Sequence, residues 1–147
     1  MTNKRFNIRV YGICEYQKSF LVTDEIVKGV RMTKFVGGGL EWGEGISDAL
    51  AREFIEECDA EIINFSHFYT TEHFQRSAFN SSDQLISVYY SIELKEPEKI
   101  NTVEIPFEGV GNNQQCFRWI KIEDLNSELF TFPIDKLVVN RLLDERK

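Results

Sequence analysis

The chain has 147 residues, 42% of them hydrophobic and 28% charged, with a net charge of −7. That suits one domain, residues 1–147, which buries roughly 70% of the surface its unfolded form exposes, and it excludes a disordered chain. The acidic balance argues against a nucleic-acid polymer as partner, since that mode needs a Lys/Arg surplus, and a phosphate-bearing ligand would need a divalent cation to bring positive charge.

The basic residues near the start, Lys4, Arg5 and Arg9, are followed by no uninterrupted apolar run, so the segment does not read as a signal peptide. Nor does any stretch approach the roughly 18 apolar residues of a membrane span. "FNIRVYGICEYQKSFLVTDE" has strand character on both sides of the polar "EYQKS" and predicts a hairpin with a short connection. Cys14, in its first arm, is distant from Cys58 and Cys116, and no CxxC pair occurs, which argues against a disulfide framework or a zinc ribbon. A reducing cytoplasm is the expected compartment.

A short extended piece, "RMTKFV", leads to "GGGLEWGEGISDALAREFIEEC", where a glycine-rich turn runs into a helix expected from about Ser47, its N-cap, to Cys58. At about 100° per residue, Glu53, Glu56 and Glu57 share one stripe. Leu50, Ala51, Phe54, Ile55 and Cys58 share the other, so one face is expected to be buried and the other acidic. Adjacent carboxylates repel by roughly 0.7 kcal/mol per pair at about 6 Å in water. An Arg52–Glu56 helical pair offsets about 0.3–0.5 kcal/mol of this. A hard cation held by carboxylate oxygens, as Mg²⁺ is beside substrate phosphates, would compensate the rest. Gly37, Gly38 and Gly39 allow close approach to a ligand or a turn through positive φ, and a carbonyl there can complete a metal site.

Beyond the helix, "EIINFSHFYTTEHF" and "QLISVYYSIEL" predict a strand pair around the polar "QRSAFNSSD". His67 and His73 fall in its first arm and read as sheet residues rather than catalysts. Phe74, Tyr89 and Tyr90 could stack on a nucleobase, although core packing accounts for most such aromatics. Residues 96–115 are polar and irregular, a connection of the kind that often carries function. "CFRWIKI" is strand-like and "EDL" begins a turn. Pro133 opens a last helix with Ile134, Leu137, Val138, Arg141 and Leu142 at helical spacing. The order predicts an α/β fold with a mixed sheet between helices.

The glycine–helix stretch resembles the Nudix box of the MutT-like Nudix hydrolases: Gly38, Glu44, Arg52, Glu53, Phe54, Glu56, Glu57 and Ala60 occupy its places, and Asp59 stands where the pattern has Gly. Asp tolerates the left-handed conformation better than most residues, so the helix stop survives. "RWIKIEDL" is similar to the family's late tryptophan-bearing strand. The resemblance implies an α/β/α sandwich and metal-dependent hydrolysis of a nucleoside diphosphate linked to another moiety, of the nucleotide sugar, ADP-ribose or nucleoside triphosphate type.

It further implies Mg²⁺, or Mn²⁺, held by Glu56 and Glu57 with the Gly38 carbonyl as a further ligand. Glu53 becomes a ligand or general base, Arg52 the group that orients a carboxylate, and Glu44 a support for the loop or a member of the metal network. Members often add a later-loop carboxylate, for which Glu108, Gln114 and Gln115 are the candidates here. Gly37, Gly38, Gly39, Arg31 and Lys34, with Arg76, are candidates to meet the substrate. The partner is a small molecule rather than a membrane, and a homodimer is compatible with such a domain. The rival is a Nudix-like domain that binds a nucleotide or protein without hydrolysis; the retained charged residues of the box favour the enzyme.

Overall fold

The computed structural model describes residues 3–147. Strands β1 (Arg5–Tyr16) and β2 (Ser19–Val27) meet through the two-residue turn Gln17–Lys18, both at positive φ, as the twist of a tight hairpin requires. Their pairing is brief, confined to Glu15↔Phe20 and Tyr16↔Ser19. β2 then pairs with β3 (Val30–Lys34) through a turn at Lys28–Gly29, again both at positive φ. β1 lies between β4 (Val36–Gly39), antiparallel to it, and β6 (Asp83–Leu94), parallel to it. β5 (Ile62–Thr70) pairs antiparallel with β6, and β7 (Gln114–Lys121) with β2, completing a mixed sheet of seven strands.

Two helices cover its faces. α1 (Ile46–Cys58) packs Leu50 and Phe54 onto Val10, Cys14, Leu21 and Val36. It sits so close to β1 that a Cβ on Gly12 would fall 2.6 Å from the Phe54 ring. α2 (Pro133–Asp144) brings Ile134, Val138, Val139 and Leu142 against Ile13, Phe20, Phe35 and Tyr89 from the other side. The alternation of β1 divides the two cores: Val10 and Cys14 face α1, while Tyr11 and Ile13 face α2. This α/β/α arrangement is the predicted one, with Pro133 in the first turn of the last helix.

Several local readings change. The three glycines are not a turn: they form β4, and the chain reverses instead at Gly43, φ 95°. Glycine is required in the strand for closeness, since a Cβ on Gly37 would lie 2.0 Å from the Val10 carbonyl oxygen. The helix begins at Ile46, so its N-cap is Gly45 rather than Ser47. Asp48, in the first turn, closes the end by accepting from the Gly45 amide at 3.1 Å. The buried stripe of α1 is Ala49, Leu50, Glu53 and Phe54, whereas Ile55 is half exposed. His73 lies beyond β5, in the exposed segment before β6.

Candidate active site

β4 and α1 meet at Gly38. The Glu53 carboxylate packs directly on this residue: a Cβ there would stand 2.5–2.7 Å from its three carboxylate atoms. Glu53 is thus buried although it belongs to the acidic stripe, and its charge is met by Arg52 Nη1, which donates to Glu53 Oε1 at 3.0 Å. Arg52 is the hub of the loop–helix junction. Its Nε and Nη2 donate to both oxygens of Glu44 at 2.6 and 2.9 Å, Nη2 donates to the Gly39 carbonyl at 3.0 Å, and Nη1 reaches Glu56 at 3.2 Å. The paired guanidinium holds the Glu44 carboxyl below the usual range, and Glu44 also accepts from the Glu41 amide at 3.0 Å. The Arg52–Glu56 pair is therefore present but secondary to the bidentate Arg52–Glu44 contact.

Glu57 is treated differently. Burial first, then the charges of Glu53 and Glu25, push its carboxyl up to about 7 against the opposing charge of Lys34 and a hydrogen bond from Gln115. Glu25 and Gln115 are cross-strand partners on β2 and β7, which places them on one face of the sheet. With its amide nitrogen toward the carboxylates, Gln115 reaches Glu57 Oε2 and Glu25 Oε2, each at 3.2 Å, and Thr23 Oγ1 at 2.9 Å. Of the three late candidates, only Gln115 meets the box: Gln114 accepts from the Gly111 amide, and Glu108 is exposed on the connecting loop. That loop docks on the opposite face of β2, where buried Asp24 accepts from the Phe107 amide at 3.2 Å and from Arg118 Nε at 2.5 Å.

Among the described residues, no three acidic, His or Cys side chains already converge as a coordination shell. Arg52 instead draws Glu44, Glu53 and Glu56 toward itself. The donor set still fits a hard divalent ion, because the carboxylates of Glu53, Glu56 and Glu57 and the backbone of Gly38 offer oxygen, and among the described residues no cation pairs directly with Glu57, which feels Lys34 only through space.

Beside this cluster, a cavity of about 410 Å³ opens between the sheet and the N-terminus of α2. Its walls include Arg9, Tyr11, Glu25, Lys34 and Arg76, with Asp135 also in its lining. Lys34 and Arg76 are thus at the cavity, but Arg31 is not: strand alternation turns it to the other face, where its guanidinium stacks 4.8 Å from the Phe107 ring centroid. Tyr89 is core, its hydroxyl donating to Asp135 at 2.5 Å. His67 is tied to Thr70 at 2.8 Å within β5. Glu25 and Arg9 were not among the sequence candidates. Each is a charged residue in a largely apolar strand, but only the strand register shows which face receives it.

A mixed sheet between two helices, with an arginine-organised acidic helix against a glycine strand, is the α/β/α architecture of the Nudix hydrolases. The chain belongs to the Nudix family: the model of the NUDIX domain matches residues 4–141. Nudix enzymes are pyrophosphohydrolases acting on nucleoside diphosphate derivatives, and this chain is one of them. Solved structures share the fold at low identity. A NUDIX hydrolase from Nitrosomonas europaea superposes with a TM-score of 0.71 at 17% identity, over 97% of this chain and 92% of that one. A MutT NUDIX hydrolase from Burkholderia pseudomallei gives 0.71 at 12% identity, over 95% and 99%. A structure from a study of MutT from Aliivibrio salmonicida and Vibrio cholerae gives 0.65 at 21%, over 96% and 99%. None of the curated proteins matches the sequence to significance.

Proposed function

We propose that the protein hydrolyses the pyrophosphate linkage of a nucleoside diphosphate joined to another moiety, with Mg²⁺ or Mn²⁺ bound at Glu56, Glu57, Glu53 and the Gly38 carbonyl. The observation that carries this reading is the half-buried Glu57 carboxylate, set with Glu53 and Glu25 beside the Gly38 backbone and held by Gln115 without an ion pair among the described residues. A bound divalent ion supplies positive charge to the diphosphate and acidifies water beside it. Glu57 must be ionised to serve as ligand, and a divalent ion held there would offset the burial and the Glu53 and Glu25 charges that favour its protonated form.

Arg52 acts through others: by gripping Glu44 and Gly39 it fixes the loop to α1 and sets the Glu53 and Glu56 carboxylates. Glu53 is the second oxygen donor or the base that takes the proton of the attacking water. Gly37, Gly38 and Gly39 bring backbone rather than side chain to the substrate, and Lys34 faces it from β3. Nucleotide sugars and ADP-ribose are the first substrates to test, nucleoside triphosphates the next.

Replacing Glu57 with Gln tests the assignment. Turnover should fall by orders of magnitude while the thermal transition persists; wild-type turnover in that variant would remove the proposed role.

A further inference from the structure

The cavity next to the box carries two cations that make no direct ion pair among the described residues, although Glu53 and Glu25 act on Arg9, and Lys34 on Glu57 and Asp135, through space. Arg9 and Lys34 flank the same ring, Tyr11, at 5.9 Å each from its centroid. Among the described residues, neither has a carboxylate within 4.0 Å, although Lys34 is only 6% exposed. A cation drawn out of water with no carboxylate in direct contact keeps donors to spare, so two of them on one cavity wall mark a place for an anion. The acids nearby are otherwise engaged. Asp135 holds the Tyr89 hydroxyl, and Glu25 faces Gln115.

The support beneath the pair is rigid. Arg9 Nε donates to the Tyr11 hydroxyl at 3.2 Å, Tyr11 stacks on Tyr89 with centroids 5.1 Å apart, and Tyr89 is fastened to Asp135 at the start of α2. Tyr89 is buried, so the Tyr11 ring has a fixed backing. The Tyr11 hydroxyl proton remains free to be donated toward the cavity, since that oxygen accepts from Arg9.

We infer that Arg9 and Lys34, set on Tyr11, form a seat for the phosphate on the cavity side of the cleaved anhydride. The seat takes phosphate oxygens whatever moiety they carry, and as an affinity determinant for the reaction it rests on the hydrolase reading given above. A phosphate bridging these two cations is held opposite Glu53 and Glu57, so the diphosphate spans from the carboxylate cluster into the cavity. The fork of Arg9 favours two phosphate oxygens at once, whereas Lys34 supplies a point charge.

Binding and turnover test it separately. With EDTA present, inorganic pyrophosphate should raise the Tm of the wild type by a few degrees above a sodium chloride control of equal ionic strength. Arg9→Gln and Lys34→Gln should lose most of that shift, Arg9→Lys should restore part of it, and Lys99→Gln, remote and exposed, should keep all of it. On a hydrolysed substrate, Arg9→Gln should raise KM about tenfold or more with a much smaller change in kcat. No pyrophosphate shift in the wild type, or an undiminished shift in both Gln variants, would overturn the seat. Loss of the shift in a chain that hydrolyses nothing would leave the seat standing and refute the hydrolase reading instead.

Discussion

Gly38 shows how much one absent side chain can matter. Its hydrogen leaves the space that the Glu53 carboxylate fills, so Gly38→Ala forces either the strand or the carboxylate to move. Overpacking of this kind costs about 1–3 kcal/mol, and denaturant melts should show a loss of that size together with reduced turnover. An unchanged midpoint would mean that the junction is looser than its geometry indicates. At Asp135 the relevant quantity is charge. Burial pushes its carboxyl up to about 7 from an ordinary 3.8, against the lowering bond from Tyr89. The proton is held more tightly folded than unfolded, so the stability this group contributes is complete below the unfolded value and is lost as pH rises through about 7. Glu57 has the same sign. Asp135→Asn should therefore flatten the decline in unfolding free energy between about pH 5 and pH 8 without abolishing it. A slope equal to that of the wild type would show that Asp135 is not buried in this way.

The helix α1 is the most legible element, because spacing puts Glu53, Glu56 and Glu57 on one stripe with Arg52 in reach of Glu56, and the resemblance to the Nudix box adds Gly38 to them. What spacing could not tell was how the helix is rotated against the sheet. Glu53 and Glu57 were expected on an exposed stripe, yet Glu53 is buried under β4, and Ile55, expected inside, faces solvent. The reason is that Gly38 lets β4 approach α1 at Glu53, while Gly12 lets β1 approach it at Phe54. Asp59 ends the helix at φ 51°, ψ 44°, and its amide donates to the Ile55 carbonyl while that of Ala60 donates to Phe54. The stop survives the loss of the family's glycine, as expected. Restoring it, Asp59→Gly, should remove a strained residue and a negative charge at the helix C-terminus, for a gain of about 0.5–1 kcal/mol with turnover unchanged. Lower thermal stability in that variant would contradict a purely structural role.

At the scale of the whole molecule, both helices and the strands other than β4 could be read from alternation and helical spacing, but not which strands are neighbours. The parallel pairing of β1 with β6 joins residues far apart in the chain, and no local pattern announces it. That register, with the β2–β7 pairing, decides that Glu25 and Gln115 meet Glu57, that Arg9 and Lys34 share a cavity, and that Arg31 does not. It also places the long connection after β6 on the back of β2, through Asp24 and Arg118, rather than over the cluster. No helix among the described residues is long and apolar enough to cross a membrane. The central claim is that the two halves of the box, glycine strand and acidic helix, cleave a phosphoric anhydride with a divalent ion. The direct measurement is release of nucleoside monophosphate or phosphate from a panel of nucleotide sugars, ADP-ribose and nucleoside triphosphates, with Mg²⁺ and with EDTA. The account predicts turnover of at least one class with Mg²⁺ and its loss in EDTA; equal rates in both, or no cleavage of any class, would contradict it.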